Sequence, residues 1–241
     1  MGRVRTSPAH HIDLLGRFTV VASGRRVGLR PSARRLVALL GVRGPTARCD
    51  AAGLLWPDLD QHRARDNLRT AYWRLRHDAP HLVSEEGEVL RIADACVDFD
   101  EVRQWAWQVM RGEDLPFRPP AGGPLELLPG WSDDWLVEFR EEFRLLTLYA
   151  LEGSAQRLLL AGRLGEAATL ARTAVGVDPL RESANRLLIE IEIRAGNGLD
   201  AVRQYRRYAH LLDRELQAEP GPGLTMLIAP LLRPPAASRN R

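Results

Sequence analysis

Apolar positions recur along this chain with two different periods, and the change from one to the other divides it. From Ile12 to Val21 the run IDLLGRFTVV reads as a strand, Ser23-Gly24 turns the chain, and RRVGL at 25–29 returns. The pair predicts a hairpin. Pro31-Ser32 opens a helix with Ser32 as candidate N-cap, Leu36, Val37, Leu39 and Leu40 as its buried side, and Gly41 to Pro45 as its end. A short helix over 48–55 follows, weakly capped by Ala47 and stopped at Trp56-Pro57. The segment 60–76, DQHRARDNLRTAYWRLR, predicts a third helix. At ~100° per residue, Ala64, Leu68, Ala71, Tyr72 and Leu75 fall on one narrow face. Asp66, Arg69, Thr70 and Trp73 fall opposite, flanked by Arg65 and Arg76 on one side and Asn67 and Arg74 on the other. After Pro80, LVSEEGEVLRI alternates around Gly87 and predicts a second hairpin. Strands, three helices and a hairpin, in that order, describe an α+β winged helix-turn-helix, with the third helix in the reading position and the hairpin as wing.

Beyond residue 98 the period is helical. Phe99, Val102, Ala106, Val109 and Met110 share a face, 112–130 is a Pro- and Gly-rich loop, and Trp135, Phe139, Phe143 and Leu146 mark a helix reaching about Leu160. AGRLGEA at 161–167 then recurs as AGNGLDA at 195–201, an offset of 34 residues. That is the tetratricopeptide period, and each copy suits a turn between antiparallel helices. Asp178-Pro179 closes one copy and Glu219-Pro220 the next. Helix pairs of this kind cannot bury their apolar faces alone and stack into an array. The expected organisation is a disordered tail at 1–10, a winged helix at 11–98, an all-α tetratricopeptide-like domain at 99–232 and a second tail at 233–241.

Charge sharpens the division. Residues 1–78 hold 15 Arg against 6 Asp and no Glu, whereas residues 79–241 hold 19 Arg against 25 acidic residues. A basic first third is a footprint for a polyanion, and an acidic remainder suits a protein partner. Every basic residue is Arg, which GC-rich codon usage explains. Cys49 and Cys96, far apart, fit reduced thiols. No apolar run reaches the ~18 residues of a membrane span, and the N-terminus lacks an apolar signal core. The expectation is a cytoplasmic protein with no membrane partner.

The chemistry-bearing candidates lie on the third helix. Arg65, Asn67, Arg69, Thr70, Trp73, Arg74 and Arg76 present donors of the kind that meet base edges and phosphates in a major groove, and Arg91 adds one basic group on the wing. The competing reading for Arg65 and Arg69 is solvated surface charge. Trp73 either stacks on a base edge or packs across the domain boundary; Tyr72 reads as core and Trp56 as packing. Asp58 and Asp60 read as turn and capping residues or as part of a partner-facing loop. Glu85, Glu86 and Glu88 sit badly in a wing, because carboxylates repel phosphates. His10-His11 lacks further ligands, so no metal is expected. Phosphate-cradling, zinc-protease and nucleophile-elbow motifs are missing, so neither enzymatic activity nor a cofactor is expected.

Four stretches carry a resemblance: RRLVALLGVRGPTARCDAAGLLWPD at 34–58, NLRTAYWRLR at 67–76, VDPLRESANRLLIEIEIRAGN at 177–197 and AVRQYRRYAHLLDRELQAEPGPGL at 201–224. In their order and spacing the chain resembles, over about 12–232, the actinobacterial antibiotic-regulatory (SARP) activators. These join a response-regulator-type winged helix to a bacterial transcriptional activator domain. The resemblance implies an activator that binds promoter repeats side by side as a pair of copies on double-stranded DNA and recruits RNA polymerase holoenzyme, including its sigma factor. It also implies that the turn Trp56, Pro57, Asp58, Leu59, Asp60 faces the polymerase. The rival expectation is a repeat-type adaptor whose winged helix does not read DNA. The acidic wing favours the adaptor, and the charge asymmetry favours the activator.

Overall fold

A computed structural model describes residues 10–22, 24–120 and 124–232. Of the expected tails at 1–10 and 233–241, all but His10 lie outside these. The chain folds as two compact units, one of residues up to 105 together with 118–144, the other of 106–117 together with 145 onward.

In the first unit β1 (His10–Asp13) pairs antiparallel with β2 (Thr19–Ala22), which pairs with β3 (Arg25–Arg26). The single strand expected over 12–21 is therefore two strands, parted where Gly16 takes a φ of 70° and the chain reverses. His10 and His11 belong to β1 rather than to a tail, and His10 is buried. Helix α1 (Pro31–Arg43) has Arg30, not Ser32, at its N-cap, with Pro31 in the first turn. The proline's fixed φ starts the helix without a side-chain cap. Gly41 lies inside α1, packed on Leu14, and the helix stops only at Gly44. Strand β4 (Thr46–Ala47) leads into α2 (Arg48–Leu55), then α3 (Gln61–Asp78). The hairpin β5 (Val83–Glu86) and β6 (Val89–Ile92) turns at Gly87, and β4 pairs with β6 to make a three-stranded sheet. Strand β7 (Ala95–Val97) runs parallel to β1 and completes a four-stranded sheet in the order β3-β2-β1-β7.

Helix α4 (Asp98–Met110) buries Phe99, Val102, Ala106 and Val109, while Met110, expected on the same face, is exposed. At its start the buried Asp98 carboxylate accepts the backbone N–H groups of Leu14 (2.7 Å), Leu15 (3.1 Å) and Phe99 (2.7 Å). The strap that follows the long loop closes on the same place. Leu128 N–H donates to Leu14 O at 2.8 Å, Gly16 N–H to Glu126 O at 2.8 Å, and Leu127 and Leu128 are buried. Helix α5 (Leu136–Leu160) begins in this unit, where Phe143 packs on Phe99 at 4.9 Å between ring centres.

The second unit is wholly helical and tetratricopeptide-like. Helix α6 (Leu164–Val177) packs on α7 (Glu182–Arg194), α7 on α8 (Gly198–Leu216), and α9 (Pro222–Leu232) on both α7 and α8. The 34-residue sequence period returns as a hydrogen-bond period. Gly162 N–H meets Leu159 O as Gly196 meets Ile193, and Arg163 N–H meets Leu158 O as Asn197 meets Glu192. Both turn glycines are left-handed, at 75° and 79°. The run Asp178 to Glu182 ties helices together side chain by side chain. Asp178 accepts Leu180 N–H at 3.1 Å, and the buried Asn185 amide donates to Pro179 O (3.0 Å) and Arg181 O (2.9 Å). Arg181 grips Glu152 at 2.7 and 3.2 Å, and Glu182 accepts Gly221 N–H at 2.8 Å. Among the described residues no helix is long and apolar enough to cross a membrane.

Three stability outcomes follow from these ties. Asp98→Ala strands three buried N–H groups in the first unit and is expected to lower its unfolding free energy by about 3 kcal/mol or more in urea titrations. Burial pushes the Asp98 carboxyl up to about 6 from 3.8, although three backbone donors pull the other way. The folded state thus keeps a proton that the unfolded chain releases, and the stability this group contributes falls as pH rises across that interval, a slope that Asp98→Asn removes. In the second unit, a Cβ at Gly221 would meet the Glu182 carboxylate at 2.5 Å. Gly221→Ala therefore displaces that acceptor and is expected to cost about 1–3 kcal/mol, read as a lower unfolding midpoint.

Candidate nucleic-acid interface

Helix α3 is fixed from behind and from its start. Ala64, Leu68, Ala71, Tyr72 and Leu75 are buried, the stripe that the periodicity predicts. Asp60 caps the helix, its carboxylate accepting Arg63 N–H at 3.0 Å, which is worth ~1 kcal/mol of helix stability. The capping role expected for Asp60 is thus present in the geometry. Arg65, Asn67, Arg69, Thr70, Trp73 and Arg76 lie exposed on the outer side, and Arg74 is half-buried. Trp73 stands 67% exposed, its ring stacked on His77 at 6.3 Å. Arg65, Arg74 and Arg76 make no ion pair among the described residues, so three guanidinium groups on one helix have no carboxylate partner there. Arg69 is paired with Asp66, whose other oxygen lies 3.2 Å from His62 Nδ1. The Thr70 hydroxyl donates to Asp66 O at 3.0 Å.

The wing is less hostile to an anion than its three glutamates suggest. Glu85 is gripped by Arg48 at the start of α2, at 2.6 and 3.0 Å, and the same guanidinium lies 5.1 Å over the Tyr72 ring. Tyr72 also hydrogen-bonds Glu85, and burial followed by that carboxylate raises the phenol above its ordinary value. Glu86 is paired with Arg91 at 2.5 Å, and Arg91 Nε donates to Ser84 at 3.2 Å. Only Glu88 among the three has no ion pair among the described residues. Arg91, expected as the wing's one basic contact, is therefore partly neutralised where it stands. Arg48, which sequence reasoning does not single out, joins α2, α3 and the wing. Its signal in the sequence is weak, a single Arg at the start of a helix eight residues long.

The turn between α2 and α3 presents Pro57, Asp58 and Leu59 to solvent, with Trp56 half-buried as the C-cap of α2. It forms one wall of a groove of about 930 Å³ whose other wall holds Arg35 and Asp133, bonded at 2.8 Å, and Trp135. Cys49 and Cys96 are not joined in a disulfide. No group of three or more metal-ligating side chains occurs among the described residues.

Residues 121–232 match the model of the bacterial transcriptional activator domain. Among solved structures the chain is similar to Mycobacterium tuberculosis EmbR in complex with a low affinity phosphopeptide. The identity is 20% and the TM-score 0.60, over 93% of this chain and 65% of that one. No curated protein matches the chain.

The chain carries a bacterial transcriptional activator domain over residues 121–232.

Its layout is a winged helix followed by that activator domain, which supports a role in transcriptional regulation. In this regulator the activator-domain match begins before the strap that completes the first unit, so part of the matched sequence serves the winged helix structurally. The Arg48–Glu85–Tyr72 tie yields a contrast between neighbouring glutamates. Glu85→Gln is expected to destabilise the first unit by about 1 kcal/mol in denaturant titrations, because it strips a charge-assisted bond. Glu88→Gln is expected to leave stability within about 0.5 kcal/mol of the parent.

Proposed function

We propose that this regulator is a sequence-specific activator that binds repeated promoter elements on double-stranded DNA through α3. In this reading the helical unit recruits RNA polymerase holoenzyme, sigma factor included, and the protein works in the cytoplasm where DNA is accessible. One observation carries the reading: α3 is buried along one full stripe and offers unpaired Arg65, Arg74 and Arg76 with Arg69, Asn67, Thr70 and Trp73 along the other. A guanidinium fork matches guanine acceptors and phosphate oxygens, and an amide such as Asn67 matches adenine. The neutralising pairs at Glu85 and Glu86 lower the cost of bringing the wing near the backbone. The exposed Trp56–Asp60 turn, on the far end of α3 from Arg76, serves the polymerase in this scheme. Two copies on adjacent repeats gain avidity without any new base contact.

The adaptor reading draws on Glu88 and on the groove beside Trp56, both features of a protein-binding surface. Salt separates the two. With four to six Arg on phosphates, log K falls with log salt at a slope of roughly −4 to −5. Arg69→Ala is expected to cost about 1–3 kcal/mol on a selected site. Affinity indifferent to salt, or no duplex binding at all, would leave the adaptor as the better account.

A further inference from the structure

A carboxylate in the middle of a helix face offered to DNA calls for a reason, since it repels phosphates on approach. Asp66 is such a carboxylate. It sits half-exposed between His62, one turn back, and Arg69, one turn on, and both its oxygens are engaged. Pairs of this spacing recur elsewhere, as Arg103–Asp100 and Arg203–Asp200, so spacing alone assigns nothing. Place and partner set this one apart: Arg69 lies on the outer face of α3, with its side chain 76% exposed.

Resting on the DNA reading of α3, we propose that Asp66 is a positioning residue that makes Arg69 a reader of guanine. A free arginine on a helix surface samples many rotamers and binds any phosphate or acceptor within reach. Its fork is rigid, so fixing one edge fixes the direction of the rest. A guanidinium has five N–H donors, and Asp66 engages one nitrogen, Nη2. The remaining donors include an end-on pair suited to guanine O6 and N7. Two consequences then run in opposite directions. The negative charge weakens binding to DNA of any sequence, while the fixed fork strengthens the preference for one base pair. The Thr70 hydroxyl, bonded to Asp66 O, keeps the same turn closed.

The test uses the full chain against a randomised duplex pool at one salt concentration, comparing the parent with Asp66→Ala, Asp66→Asn, Asp66→Glu, Arg69→Ala and the Asp66→Ala/Arg69→Ala pair. Thermal melts confirm that each variant is folded. Asp66→Ala and Asp66→Asn are expected to bind non-specific duplex about two- to threefold more tightly. In the same two variants the guanine preference at one base pair falls by at least about threefold. Asp66→Glu retains part of that preference, and in the Arg69→Ala background removing Asp66 changes preference no further. Tighter binding with the guanine preference intact would overturn the proposal, since Asp66 would then be a solvated charge. So would a preference lost at a second base pair in the Arg69→Ala background, which would mark a direct contact from Asp66 to cytosine. A parent chain that selects no sequence overturns the DNA reading itself, and this inference with it; a parent that selects, with unaltered variants, overturns only the inference.

Discussion

The first unit is gathered on one buried carboxylate. Asp98 takes the N–H groups of Leu14 and Leu15 where β1 leaves its sheet, and of Phe99 where α4 begins. A strand end and a helix start each leave donors unpaired, and a buried unpaired donor costs ~1–3 kcal/mol. One side chain answers both ends. Because Leu14 is held, its carbonyl is placed for Leu128, and the strap from 126 onward can bridge to Leu15. Arg140 of α5 then donates to Leu127 O at 2.9 Å and Trp131 O at 2.8 Å, so the strap is bound from both sides. Helix α1 lies on Leu14 through Gly41, and α3 packs on α1. The exposed arginines of α3 thus inherit their position from contacts made far from them in sequence. It follows that a fragment ending at 98 keeps every candidate DNA contact and still lacks Phe99, the strap and Phe143.

Formal charge describes this surface only partly. The first 78 residues carry nine more positive than negative charges, yet the wing's carboxylates sit close beside them in the fold. What decides the local field is pairing. Glu85 with Arg48 and Glu86 with Arg91 are nearly neutral units, whereas Arg65, Arg74 and Arg76 remain unopposed among the described residues. Exposed pairs of this kind add little stability, ~0–1 kcal/mol each. Their effect is on where the positive potential appears, which is along α3 and away from the hairpin.

The parts of the fold that were legible in sequence are those with a repeated signal. Five buried positions on α3 recur at helical spacing, and the 34-residue period returns residue for residue in the turns at 161–163 and 195–197. The parts that were not legible have no room for a period. Strands β4 and β7 are two and three residues long, and pairing comes to them from Leu90 and Ile12 far away in sequence. The strap at 126–128 looks like ordinary Pro- and Gly-rich loop because its role is a set of backbone bonds. The Ser32 cap failed for a local reason: Pro31 starts α1 two residues earlier, with Arg30 at the N-cap. At the candidate interface, residue types and face were legible, whereas the pairings of Arg48, Asp66 and Arg91 depend on tertiary placement.

The motif most useful for placing this chain says least about what it binds. Asp178-Pro179-Leu180-Arg181-Glu182 and Glu219-Pro220-Gly221 are spent on structure. Arg181 reaches Glu152, Asn185 caps the Pro179 and Arg181 carbonyls, and Glu182 holds Gly221. Each of these bonds satisfies a polar group inside a helical stack, where an unmet one would be costly. Such residues are constrained by the fold, so they mark the fold. The residues that would meet DNA obey no such constraint. Arg65, Asn67, Arg69 and Trp73 touch solvent, and a different set would leave α3 folded. Two regulators of this architecture can therefore share these structural motifs and differ in the sequences they select. Specificity has to be sought on the outer face of α3, in which side chains are free and which, like Arg69, are already held.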